Sequence, residues 1–96
     1  MTVEIRRITQ VSDALEEAFA RLMPQLSPRL GAPSREVLRR VAGSETGELL
    51  AAVAGERIVG VLTLAWYDAP SGRKAWIEDV VVDLSLIHIS EPTRPY

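Results

Sequence analysis

Gly55-Glu56 sits between two extended apolar runs, Glu48–Ala54 and Arg57–Tyr67, and this stretch limits the fold more than any other. Glycine first in a two-residue loop is the signature of a type II′ turn, so the runs read as a tight antiparallel hairpin. By strict alternation, Ile58, Leu62, Leu64 and Trp66 share one face of the longer run; Val59, Val61, Ala65 and Tyr67 share the other. Both faces are apolar, so the hairpin requires a covering layer on each side of its sheet.

Asp68–Arg73, containing Pro70-Ser71-Gly72, turns the chain into Ala75–Asp83 (AWIEDVVVD). Trp, Ile and three Val favour a third strand. Two adjacent carboxylates, Glu78 and Asp79, interrupt it, and alternation sends one acid to each face. A charge taken from water must be paired or neutralised, so acids in a packed strand mark either chemistry or structural ion pairs. Arg57, Arg73 and Lys74 are the cations within reach for the second reading.

Upstream, Val3–Ile8 alternates as a half-exposed first strand. Leu15, Ala18, Phe19, Leu22 and Met23 then fall on one face of a helix. Ser12 or Asp13 caps it, Asp13 and Glu16 have capping-box spacing, and Pro24 is expected to end or kink it. Gln25–Pro33 reads as a loop. Ser34 caps a second helix through Ala42, striped by Val37, Leu38 and Val41, with Gly43 placed for a left-handed residue after its end. The predicted order is strand, helix, helix and a three-strand antiparallel meander, an α+β arrangement of single-domain size at 96 residues.

A net charge of −2 and a pI near 5.4 argue against nucleic acid or an anionic membrane as the main partner. The absence of cysteine excludes disulfides and thiolate chemistry and fits a reducing cytoplasm, the expected location. No apolar run has signal-peptide or membrane-span length. Trp66, Tyr67 and Trp76 read as core or sheet-edge aromatics ahead of a substrate platform.

Composition changes abruptly at Leu84–Tyr96 (LSLIHISEPTRPY), which holds His88, the chain's single histidine. Leu84 through Arg94 resembles the translation of a transposon-based sequencing adapter, so this tail is set aside from fold reasoning. The alternative is that Leu84, Leu86, Ile87 and Ile89 simply extend the last strand. Residues 1–83 contain neither His nor Cys, so no Ser-His-Asp triad, thiol nucleophile or His-bound metal can be assembled from them. His88 is not counted as catalytic.

The ordered set of IRRIT, ERIVGVLTL and AWIEDVVVD, spanning residues 3–83, resembles the N-terminal half of a GNAT-type N-acetyltransferase. The resemblance implies a truncated acetyltransferase fold of α/β type over residues 1–83, followed by the tail at 84–96. In that family the fourth strand runs into an R-x-x-G-x-G or G-x-A loop, whose helix amides hold the cofactor pyrophosphate. Here LSLIHISEPTRPY stands where that loop, its helix and the later strands are expected.

The implied activity is acetyl transfer from acetyl-CoA to a primary amine of a small molecule or peptide, with this fragment itself expected to be inactive. Val80, Val81 and Val82 would offer backbone groups to the acetyl and pantetheine portion, near a β-bulge. Glu78 would act as the base, directly or through water, with Asp79 second and burial raising either pKa. The family's acceptor site would border Gln25–Pro33. The rival reading is a non-catalytic α+β binding module whose last strand completes a sheet in a partner. Either way, an uncovered apolar face and strand edge are expected to make the chain poorly behaved alone.

Overall fold

The computed structural model, which describes residues 2–29 and 31–86, converts these periodicities into six main elements. They are β1 (Val3–Ile8), α1 (Asp13–Leu26), α2 (Arg35–Ala42), β2 (Gly47–Ala54), β3 (Arg57–Ala69) and β4 (Gly72–Val82), followed by a 3-10 turn at Leu84–Leu86. The strands form one antiparallel sheet in the order β1-β2-β3-β4. This is the predicted α+β order, with the first strand added to the edge of the meander.

Alternation does most of the work in the sheet. Along β2, Gly47, Leu49, Ala51 and Val53 are buried, and the residues between them are half-buried. Both helices pack on one face. Leu15, Ala18, Phe19, Leu22 and Met23 from α1 and Leu38 from α2 form a core with Leu49, Val61 and Val81. Ser12 is the cap of α1, accepting from the Leu15 amide at 3.1 Å. Asp13 and Glu16 turn instead to α2, where Arg35 donates to both, at 2.7 Å from its Nε to Glu16 Oε2. The Ser34 hydroxyl caps α2 by accepting from the Val37 amide at 3.2 Å.

The opposite face carries no layer among the described residues. Ile5, Leu50, Ala52, Gly60, Leu62, Val80 and Val82 line an open hollow of about 190 Å³ there. The sequence demanded cover on both faces, and the two helices supply one.

Local differences from expectation have local causes. Helix α1 runs two residues past Pro24: the ring removes one amide donor, while the Ser27 amide still reaches the Met23 carbonyl at 3.1 Å and closes the turn. Gly43 ends α2 at φ −96°, not left-handed, because its amide already bonds the Arg39 carbonyl at 2.9 Å. The β3–β4 hairpin is tighter than expected, with Ala69 opposite Gly72 and an Asp68–Arg73 ion pair of 2.9 Å across it. Gly55 has φ +64° and Glu56 does not, the pattern of the predicted turn. Val53 faces Ile58 but Ala52 faces Gly60, so Val59 is an extra residue. That bulge shifts the phase of β3: Ile58 packs with the helix-side core, while Leu62 lines the open face.

Candidate functional site

Strand β4 carries the candidate residues, and a second bulge organises them. Thr63 lies opposite Glu78 and Val61 opposite Val81, leaving one more residue on β4 than on β3 between those pairs. Asp79 takes up the difference at φ +51°, the one non-glycine positive φ among the described residues. Simple alternation does not survive this interruption. Glu78 shares the register position of Thr63, and Asp79 lines a cavity of about 80 Å³ together with Thr63, Phe19, Met23, Val37 and Leu49. Both acids therefore associate with the helix side; the expectation of one per face is corrected.

Their surroundings also differ from expectation. Glu78 and Asp79 are exposed, because β4 is the last strand of the sheet and the helices lie over its C-terminal end. Among the described residues no ion pair reaches either acid. Arg73 is held by Asp68, and Arg57 reaches Asp83 at 3.4 Å. Val81 is buried in the core, whereas Val80 and Val82 face the open hollow about half exposed. Tyr67 and Trp76 meet edge-on, with ring centroids 5.2 Å apart, as an exposed sheet-edge pair.

Asp83 is the acid that sequence reasoning passed over. It is 4% exposed, and its carboxylate accepts from Arg21 on α1 at 2.8 Å and from the Ser85 amide at 3.0 Å. Arg21 also donates to the Ile58 carbonyl at 2.9 Å, and the Asp83 amide donates to the Val59 carbonyl at 2.7 Å. The Ser85 hydrogen bonds, opposed by burial and aided by Arg57 and Gln25, hold its carboxyl down at about 2. Asp83 lies 62 positions after Arg21 in the chain, and no local spacing announces such a pair. Asp83 clamps the C-terminal end of β4 onto α1 and the bulged part of β3.

Beyond the bulge, Val80–Val82 lie on the side of β4 that carries no neighbouring strand among the described residues. Leu84–Leu86 is a single 3-10 turn without glycine. It does not extend the strand, which corrects that alternative for the start of the tail. The rest of the tail, His88 included, lies outside the described residues.

Asp79 supports a direct measurement. A non-glycine residue at this φ carries strain of about 1 kcal/mol. Asp79→Gly is expected to hold stability level or raise it by up to about 1 kcal/mol in chemical denaturation. A loss above that amount would show that the Asp79 side chain, not the backbone, sustains the bulge.

The α+β fold defined by these elements matches a truncated acetyltransferase fold, and solved structures of that fold are what the chain resembles. An aminoglycoside acetyltransferase from an uncultured soil metagenomic sample, in complex with sisomicin, superposes with a TM-score of 0.68 at 22% identity, over 86% of this chain and 57% of its own. A ribosomal-protein-alanine N-acetyltransferase from Brucella melitensis gives 0.62 at 21%, over 88% and 59%. A transcriptional regulator from Bacillus halodurans gives 0.68 at 23%, over 88% and 62%. The chain thus spans about three-fifths of these relatives. No family model and no curated protein matches it. No helix among the described residues is long and apolar enough to cross a membrane.

Proposed function

We propose that residues 1–83 are the N-terminal part of an N-acetyltransferase domain that transfers an acetyl group from acetyl-CoA to a primary amine, acting in the cytoplasm. The observation that carries this reading is the bulge at Asp79 on the free edge of β4, within an acetyltransferase fold. A bulge there turns the backbone of Val80–Val82 out of the regular ladder, where it can orient a thioester and its pantetheine arm. Glu78 serves as the base that relieves the attacking ammonium of its proton, directly or through a water; Asp79 is second. The acceptor is a small-molecule or peptide amine. A likeness to an aminoglycoside acetyltransferase supports the first class, and one to a ribosomal-protein-alanine acetyltransferase the second.

The proton acceptor and the acetyl contacts belong to this chain. The pyrophosphate loop and the acid for the departing thiolate belong to a native continuation after Asp83, which the adapter-like tail replaces. The 96-residue chain is accordingly proposed to be inactive.

Calorimetry with acetyl-CoA on the 96-residue chain and on the product of the intact gene tests this. Binding and amine-dependent release of free thiol are expected from the intact product and no turnover from the chain. Glu78→Gln in the intact product should lower turnover by about a hundredfold. An intact, folded product that does not bind acetyl-CoA would remove the cofactor assignment. A genomic sequence running on unchanged through Leu84–Tyr96, with no glycine-rich loop beyond, would remove the truncation.

A further inference from the structure

Helix α2 and the sheet leave a groove between them, on the face that already carries both helices. Val37, Arg40, Val41, Ser44, Thr46 and Ala65 border a hollow of about 390 Å³ there. Its walls are α2, the turn that follows it, β2 and β3, all within residues 37–65 and inward of β4. The cavity of about 80 Å³ that Asp79 lines adjoins it, and the two share Val37, Val41 and Thr63.

The middle of this groove is apolar, and its two ends carry opposite charge. Arg40 stands exposed at one end. Among the described residues Arg6, Arg7, Arg21, Arg35, Arg57 and Arg73 each hold a carboxylate, and Arg40 holds none. Two hydroxyls line the hollow with it. Ser44 Oγ accepts from the Thr46 amide at 3.1 Å, which leaves its own hydrogen to donate, and it lies 3.4 Å from Thr46 Oγ1. The Trp66 amide donates to the Thr46 carbonyl at 2.9 Å and ties this turn to the sheet. Arg39 is also basic in the last turn of α2, where it meets the helix dipole without lining the hollow. At the other end the bulge sets Asp79 against the cavity, without an ion-pair partner among the described residues.

The ligand that satisfies both ends is an amine that also carries a carboxylate. Its ammonium meets Asp79, its carboxylate meets the planar Arg40 guanidinium and the two hydroxyls, and its middle lies over Val37 and Val41. The groove runs about 10 Å along α2 from Val37 to Ser44. Three extended residues of peptide span about the same length.

We infer that this groove takes a short peptide with a free C-terminal carboxylate, its amine at Asp79 and its carboxylate at Arg40, and that such a peptide is the acceptor. As an acceptor it rests on the acetyltransferase reading; as a ligand of the groove it does not. Between a small-molecule and a peptide amine it selects the peptide, and a polycationic amine sets like charge against Arg40.

Triglycine and triglycinamide, which differ only in the terminal carboxylate, test this by NMR titration of the 96-residue chain. Triglycine is expected to shift the amides of residues 37–47 and 63–65 and to bind about tenfold more tightly than triglycinamide. Arg40→Gln should bring triglycine down to the affinity of triglycinamide and leave triglycinamide unchanged. Asp79→Asn, a residue that also tolerates the left-handed backbone, should weaken both peptides. Both side chains are exposed, so circular dichroism should be unchanged. No binding, equal affinity for the two peptides, a preference that survives Arg40→Gln, or shifts confined to other parts of the sheet would each overturn the inference. Turnover gives a separate answer: the intact gene product should acetylate triglycine faster than triglycinamide, and the reverse order would count against the acceptor. If the peptide results hold while the intact product fails to bind acetyl-CoA, the ligand of the groove stands and only the acetyl transfer is removed.

Discussion

Leu22→Ala is expected to lower unfolding stability by about 2–5 kcal/mol, a large share of the whole for a chain of this size. Leu22 is fully buried, at 0% exposure, in the centre of the cluster where α1 meets the sheet. Truncation removes most of its apolar side chain and leaves a cavity that close-packed neighbours fill only in part. The loss weighs heavily here because a domain of this size has a stability of only about 4–12 kcal/mol. One sheet face is also open, which places the chain toward the low end of that range. Urea denaturation followed at 222 nm would measure the effect, with Val37→Ala, at 37% exposure, as a control costing under about 1 kcal/mol. Equal losses at the two sites would mean that α1 does not pack as described.

The second large effect lies at Asp83. Asp83→Ala is expected to cost about 2–4 kcal/mol, because it leaves the part-buried Arg21 guanidinium without its carboxylate and frees the end of β4. Its pH dependence has a definite sign. The carboxyl falls from its ordinary 3.8 to about 2 in the folded chain, so the folded state binds fewer protons than the unfolded one in that interval. The stabilisation is complete above about pH 4 and is lost as pH falls through about 2. Wild-type stability should therefore drop between pH 4 and pH 2 more steeply than that of Asp83→Asn, which keeps only the smaller contribution of carboxylates such as Asp68, lowered by its hydrogen bond to Arg73. The asparagine keeps the shape and an acceptor for the Ser85 amide but cannot titrate. Parallel profiles for the two proteins would remove Asp83 as the acid-sensitive clamp.

These contacts hold the C-terminal end of β4 against the helix layer. Val81 is anchored in the core, Asp83 is tied to α1, and the bulge between Glu78 and Val81 lets both face inward across an otherwise conflicting phase. The same bulge leaves the Val80–Val82 backbone on the free edge, where the proposed acetyl-CoA contacts are made.

Most of the fold was legible in the residues because it depends on local rules. A 3.6-residue period fixed the core stripe of α1, all five of whose predicted apolar residues are buried. Ser12 and Ser34 signalled both helix starts, and Gly55 signalled its turn through a backbone angle that glycine adopts without strain. Family likeness in IRRIT, ERIVGVLTL and AWIEDVVVD pointed to the acetyltransferase arrangement that the solved relatives share.

Sequence alone determined the element order, the hairpin, the helix stripes and the need for cover on both sheet faces. Only the tertiary structure decided the phase of each strand, because one inserted residue at Val59 or Asp79 reverses the facing of everything beyond it. That moved Ile58 to the helix side and brought Glu78 and Asp79 to the same side, exposed and without ion pairs among the described residues. It also singled out Asp83, whose partner lies 62 residues away and becomes its neighbour only once α1 packs across the sheet.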